Sequence, residues 1–174
     1  VDRELRQHGL GKRGDLAGSA AMIKAVNPSM PVAPTVDIGG QVLVESGAII
    51  ETILNRYAPG KLQPDMGSLD YPYHLMWMHY AEGSLMNWLV MKLVFTSIPN
   101  QPMPFFAKPI ARALCAKVQE QLVDPNVDAA LAFMEDHLGR HRWFAGEQLS
   151  MADFQMSFAV EAALSRAAKA KDCP

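Results

Sequence analysis

The chain has 174 residues, of which 49% are hydrophobic and 20% are charged, and its formal net charge is −2. This length suits one domain of ordinary size or two small ones, and the composition supports a buried core. A chain without a basic excess is a poor candidate for binding nucleic acid. Two cysteines, Cys115 and Cys173, make no disulfide framework, so the expected location is a reducing cytoplasm.

The first fifteen residues are polar and Gly-rich, which is unlike a signal peptide. Residues 1–5 have the composition of the end of a strand. Asp15 is placed to cap a helix. Because the chain begins with Val1 rather than Met, we expect further sequence upstream. The apolar positions of the predicted helix are Leu16, Ala20, Ile23 and Val26.

Residues 33–57 predict a strand, a turn, a second strand, a sharp corner and a helix. β-Formers fill residues 35–38, and Gly39-Gly40 is a two-residue hairpin turn. The return strand covers residues 42–44, after which residues 45–47 break the alternating pattern. Apolar residues then recur at helical spacing as far as Tyr57, where Pro59 and Gly60 stop the helix.

Ser46 stands at this predicted strand-to-helix corner. The first amides of a helix have no partner within it and lie at its positive end, so a carboxylate or another anion is favoured there. A serine in this position also caps a helix without binding any ligand. The residues of the corner alone leave both interpretations open.

Three segments in this region resemble the glutathione-binding half of a glutathione transferase: Asn27-Pro28, residues 33–36 and residues 45–49 (Glu-Ser-Gly-Ala-Ile). Measured back from Glu45, the family's cis proline is Pro34. The resemblance implies that the backbone of Ala33 pairs with the cysteinyl part of glutathione. It also implies that Glu45 and Ser46 bind the glutamyl part.

Residues 61–70 are a linker by composition, and residues 71–95 are mostly apolar. Three polar residues interrupt the apolar run, so it predicts a long buried helix rather than a membrane span. Its Met and Trp residues indicate either ordinary core or an adaptable apolar pocket. Residues 78–86 resemble the first long helix of the second domain in bacterial and fungal transferases. That resemblance implies an electrophile pocket with Tyr80, Met86 and Asn87.

Residues 97–109 contain four prolines and predict a loop. Helical faces are then predicted at Ile110, Leu114, Val118 and Leu122, and at Val127, Leu131, Met134 and Leu138. Asp124 and Pro125 predict a new helix start, and Gly139 predicts its end. His137 and His141 are four residues apart, but Gly139 between them and the lack of a third ligand nearby argue against a metal site.

Residues 143–154 contain a second specific pattern. Ser150 and Asp153 have the spacing of a capping box, and Leu149 and Phe154 that of a hydrophobic staple. The segment resembles the Gly-x-x-Leu-Ser/Thr-x-Ala-Asp signature of the transferase second domain, where its role is structural. The helix that follows is expected to fade at Lys169.

The resemblance implies an incomplete thioredoxin-like domain over residues 1–62, with its first strand and helix missing, and an all-helical domain over residues 70–174. By the same resemblance, the all-helical domain is expected to lack the family's last helices. The resemblance also implies a cytoplasmic homodimer, active in detoxification, that conjugates the glutathione thiolate to small hydrophobic electrophiles or reduces peroxides. Glutathione is then the co-substrate, without metal, membrane or nucleic acid.

A hydroxyl or thiol must stabilise that thiolate, yet no Tyr or Cys precedes Tyr57. Ser19 lies in the wrong segment for this role, and Ser29 lies in the loop before Pro34. We therefore expect these 174 residues by themselves to conjugate electrophiles poorly. A transferase-fold protein that only binds ligands or partners remains the alternative.

Overall fold

A computed structural model describes residues 5–7 and 16–167, and it describes side chains for residues 20–167. The chain divides into two compact units, residues 1–61 and residues 62–174. The predicted features at residues 1–4, Asp15, Lys169 and Cys173 lie outside the described residues.

The first unit combines a small antiparallel sheet with two helices. The strands are ordered β1-β2-β3 in the sheet, so β2 pairs with a neighbour on each side. The elements are β1 (Leu5–Gln7), α1 (Leu16–Val26), β2 (Thr35–Ile38), β3 (Gln41–Val44) and α2 (Ser46–Tyr57). The helix predicted through Ile23 and the strand–turn–strand–helix order of residues 33–57 are confirmed.

The turn between β2 and β3 depends on its two glycines. Gly39 has φ 63° and Gly40 has φ 90°, which is the left-handed region that two-residue hairpin turns require. The carboxylate of Asp37 accepts the Gly40 N–H at 2.8 Å and closes the turn. Each of the elements α1, β2 and α2 buries one isoleucine, namely Ile23, Ile38 and Ile49.

In the described part of the second unit, residues 62–167, the regular elements are helices, and an isolated bridge joins Trp143 and Gly146. Its α-helices are α3 (Tyr71–Tyr80), α4 (Met86–Ser97), α5 (Ala107–Val118), α6 (Asp124–Leu138) and α7 (Met151–Arg166). None of the helices in the described part of the chain is long and apolar enough to cross a membrane.

Two wide helical turns join these helices into longer rods. The first π turn, Ala81–Leu85, connects α3 to α4, and the second π turn, Gln119–Val123, connects α5 to α6. The long helix predicted over residues 71–95 is confirmed, but the turn inside it was not expected. An α-helix begins at Asp124 as predicted, but Asp124 is not its N-cap, because the residue is helical and directly follows the second π turn.

The core of the second unit lies between these rods and α7. Small residues on α7 let the helices approach closely, and larger side chains fill the centre. Its fully buried members include Trp77, Ala81, Leu85, Leu89, Val123, Ala152 and Met156.

Three expectations for this unit need correction. The loop predicted over residues 97–109 is shorter, because Pro109 is tolerated in the first turn of α5. The predicted apolar face at Ile110 and Leu114 is exposed, and α5 instead buries Cys115. Leu138 is 39% exposed, and His137 takes the buried place that continues the stripe of Val127, Leu131 and Met134.

The capping box at the start of α7 is confirmed. The Ser150 hydroxyl accepts the Ala152 N–H at 3.2 Å, and the Asp153 carboxylate accepts the Ser150 N–H at 2.7 Å. The other carboxylate oxygen of Asp153 accepts the Phe144 N–H at 2.9 Å. Asp153 therefore joins the preceding loop to the helix. Leu149 and Phe154 of the predicted staple both remain partly exposed.

Candidate functional site

The corner between β3 and α2 is formed by Glu45 and Ser46. Glu45 is the N-cap residue, with φ 72° and ψ 115°, and its side chain makes no capping hydrogen bond. Ser46 is the first helical residue, so the interpretation of Ser46 as the N-cap is wrong. The Ile49 N–H donates to the Glu45 carbonyl at 3.0 Å. The amides of Gly47 and Ala48 thus precede the helical hydrogen bonds and lie at the positive end of α2.

The pairing of β2 with β3 brings the predicted glutathione-binding residues to one end of the hairpin. Thr35 lies opposite Val44 in the register. Residues 33–34 immediately precede Thr35, and residues 45–46 immediately follow Val44. Both pairs therefore leave the sheet at the same end of the hairpin. Facing residues of an antiparallel ladder are about 5 Å apart.

The segment before β2 has the backbone expected from the sequence. The Ala33-Pro34 peptide bond is cis, as predicted for Pro34, and both residues are exposed. Thr35 is buried, and its hydroxyl donates to the Val32 carbonyl. The Asn27 side chain accepts the Met30 N–H at 3.1 Å and supports the start of the loop.

Two of the predicted electrophile-pocket residues stand on either side of the first π turn. Tyr80 is the last residue of α3, and Met86 is the first residue of α4. Met86 is buried in the core, and the half-buried Tyr80 packs against the same cluster. Burial raises the pKa of the Tyr80 hydroxyl above its ordinary value.

Asn87 lies apart from these two residues. Its side chain is exposed, and its amide nitrogen donates to the Gly83 carbonyl at 2.8 Å, within the π turn. The ring contacts of Tyr80 are with Trp77 and Phe133. The structure therefore brings Tyr80 and Met86 to the core side of the helix but not Asn87.

Known proteins match both units. A family model described as the glutathione S-transferase C-terminal domain matches residues 116–169. Glutathione S-transferase 3 of Schizosaccharomyces pombe is 29% identical over 130 residues, which cover 75% of this chain and 53% of the relative. A glutathione S-transferase structure from Actinobacillus pleuropneumoniae has a TM-score of 0.63 and 25% identity, over 86% of this chain and 61% of its own. By these matches the chain is similar to glutathione S-transferases.

The predicted fold class is confirmed: a thioredoxin-like N-terminal domain followed by an all-helical C-terminal domain. A sphingomonad glutathione S-transferase solved with glutathione shares the fold. Its TM-score is 0.60 and its identity 21%, over 88% of this chain and 67% of its own. The chain spans about half the length of the curated relatives that it matches.

The sequence did not reveal the buried position of His137. His137 is buried, and its Nε2 lies 3.2 Å from the indole nitrogen of Trp77 and 2.9 Å from the Phe144 carbonyl oxygen. Its ring stacks on His141 at 4.6 Å. Within residues 20–167, no three His, Cys, Asp or Glu side chains are grouped to hold a metal ion. His137 follows Met134 by three residues, and this helical spacing could have predicted that His137 lies in the core.

Proposed function

We propose that the protein is a glutathione transferase that binds glutathione in its first unit. The observation that carries the proposal is the shared end of the β2–β3 hairpin. There the Ala33-Pro34 segment lies beside Glu45 and Ser46 at the positive end of α2. The Ala33 backbone pairs with the cysteinyl group. Glu45 faces the ammonium of the glutamyl group, and Ser46 with the helix end binds its carboxylate.

The reaction requires the thiolate form of glutathione, because the neutral thiol is a weak nucleophile. The thiolate attacks a small hydrophobic electrophile or reduces a peroxide, as part of detoxification in the cytoplasm. We assign no residue of this chain as the thiol activator. Residues 1–62 act as the glutathione-binding domain. Residues 70–174 form the helical domain of a homodimer.

The electrophile is held in the helical domain at the first π turn. Tyr80 supplies an aromatic face with a hydroxyl, and Met86 an adaptable apolar side chain. Asn87 is retained as a pocket residue only if it turns inward when a ligand binds. π turns recur at functional sites, which supports this location.

A second candidate is a transferase-fold protein that binds glutathione or apolar ligands without catalysis. The glutathione-binding candidates Glu45 and Ser46 and the apolar cluster beside Tyr80 would serve this function without a thiol activator. Conjugation of chlorodinitrobenzene and reduction of cumene hydroperoxide, each with glutathione, separate the two candidates. Binding of glutathione without either reaction supports the second.

Calorimetry on Ser46→Ala tests the site. We expect glutathione binding to weaken by about 1–3 kcal/mol, the contribution of a hydrogen bond to a charged group. Glu45→Gln should also weaken binding. The matched control is Ser157→Ala on α7, whose hydroxyl donates only to the Phe154 carbonyl of its own helix. Unchanged affinity in folded Ser46→Ala and Glu45→Gln proteins would remove the assignment.

A further inference from the structure

One nitrogen of His137 faces two groups with opposite requirements. The indole N–H of Trp77 points at Nε2 from 3.2 Å and needs an acceptor. The Phe144 carbonyl oxygen lies 2.9 Å from the same atom and needs a donor. An imidazole nitrogen is either protonated or carries a lone pair, so each tautomer satisfies one partner.

The Trp77 ring connects His137 to the proposed electrophile pocket. Trp77 is completely buried, and its N–H is its only polar group. Its ring meets Tyr80 edge-on at 5.1 Å and stacks on Phe133 at 5.1 Å. Tyr80 also touches Phe133 at 5.6 Å. Rotation of the indole would therefore change both aromatic neighbours of Tyr80.

We propose that His137 is a positioning residue, which accepts the indole N–H of Trp77 and so holds Tyr80 in the geometry that binds the electrophile. His137 does not touch the substrate. This inference rests on the proposed function, because it needs Tyr80 to line the pocket. It adds a specificity-determining contact outside the pocket, because His137 acts on Tyr80 through Trp77.

The two partners differ in what they lose without His137. A buried N–H without an acceptor is rarer in proteins than a carbonyl without a donor. The Phe144 peptide is also held from its other side, because its N–H donates to Asp153. The tautomer with a lone pair at Nε2 is therefore the one that the surroundings favour.

The charges around His137 keep this lone pair available. Burial is the main cause that lowers the pKa of His137 below its ordinary value, and electrostatic interactions with His141 and Arg140 lower it further. The Phe144 carbonyl and Asp136 act in the opposite direction. From α3, the facing ionisable group is Tyr73, whose ring lies 5.2 Å away. A protonated His137 could only donate from Nε2, and Trp77 would lose its acceptor.

The test compares His137→Leu with His137→Gln. The Leu variant offers Trp77 no acceptor, whereas the Gln side chain has an oxygen for Trp77 and an N–H for Phe144. We expect His137→Leu to raise the KM for chlorodinitrobenzene about tenfold, as for one buried donor left without its acceptor. His137→Gln should stay close to wild type. The dissociation constant for glutathione should be the same in all three proteins.

A second readout follows the hydrogen bond itself. The indole N–H signal of Trp77, assigned by its loss in Trp77→Phe, should exchange faster with solvent deuterium in His137→Leu and recover in His137→Gln. Equal KM values for the folded Leu and Gln variants would overturn the proposal. So would an exchange rate of the Trp77 indole N–H that is the same in wild type and in both variants.

Tyr80→Leu and a binding probe separate this failure from failure of the proposed function. If Tyr80→Leu raises the KM and His137→Leu does not, only the positioning role is lost. If neither changes it, the pocket assignment and the positioning role both fail. If wild type shows no conjugation, the dissociation constant of anilinonaphthalene sulfonate replaces KM. Weaker dye binding in both Leu variants then supports the positioning role while the catalytic proposal fails.

Discussion

The two π turns of the helical unit share a backbone form and differ in origin. The first turn buries Ala81 and Leu85 completely, and the second buries Val123 completely. Each is followed by an asparagine whose amide donates back to a carbonyl of the turn, Asn87 to Gly83 at 2.8 Å and Asn126 to Leu122 at 2.7 Å.

The second π turn has a cause that is local in the sequence. Pro125 follows it directly and has no N–H to offer the carbonyl of Gln121, and its ring would clash with that carbonyl in a regular helix. The widened turn relieves the clash, and the released carbonyls belong to exposed residues. The first π turn has no such proline. Its register is set by burial of Ala81 and Leu85, which teaches that packing alone can impose the same backbone form.

Leu85→Ala should have the largest effect on this comparison. We expect a loss of about 3 kcal/mol in the free energy of unfolding, from lost burial and the cavity that remains. Val123→Ala is the matched change in the second turn and should cost less, because it removes fewer methyl groups. Urea denaturation measures both. A smaller loss at Leu85 than at Val123 would show that burial does not hold the first turn.

A pH titration of stability tests the link between the two rods through His137. The pKa of His137 in the folded protein is below its ordinary value of 6.5, so the unfolded chain binds the proton more readily. Stability contributed by this group is complete above about pH 6.5 and falls as the pH decreases below it. His137→Gln should flatten this part of the profile. An unchanged slope would assign the acid sensitivity to other groups.

Pro125→Ala tests the local cause. Alanine restores an N–H and a better helix former, and we expect a gain of about 1 kcal/mol in stability, less than the full proline penalty because the turn already accommodates the ring. In the first turn, Gly83→Ala should add roughly 0.5–1 kcal/mol, since a Cβ there meets nothing within 4 Å. Destabilisation by Pro125→Ala would mean that the proline is needed to set the register of α6.

The two asparagines give the smallest effects and the sharpest functional contrast. Asn87→Ala and Asn126→Ala should each cost about 0.5 kcal/mol, because each loses one exposed hydrogen bond. If Asn87 lines the electrophile pocket, only Asn87→Ala should change the KM for chlorodinitrobenzene. Matching kinetics in the two variants would restrict the pocket to the core side of the helix.

Local patterns predicted much of this structure. Gly39-Gly40 determines the hairpin, and Ser150 with Asp153 determines the start of α7, because the interacting groups are within a few residues of each other. The shared hairpin end of the glutathione-binding candidates follows from the same short-range pairing. Their roles in binding stay predictions.

The electrophile-pocket residues were harder to predict because the first π turn shifts the helix by one residue. In a regular helix, Asn87 would lie on the face of Tyr80, seven residues earlier. The extra residue rotates the following chain by about 100°. Trp88, which packs against the core, thereby comes closer to the face of Tyr80 than Asn87 does. Distant packing sets this shift, so the apolar pattern of residues 71–95 does not reveal it.

The hydrogen bond between the start of α7 and the start of the helical unit affects how the nascent chain folds during translation. The Met151 N–H donates to the Leu62 carbonyl at 2.7 Å. The Leu62 carbonyl therefore gains this partner only after almost the whole unit has been translated. Helices α3 to α6 leave the ribosome with the apolar side chains that α7 covers still open to solvent. During that interval the nascent chain has the exposed surface that holdase chaperones recognise and that drives aggregation.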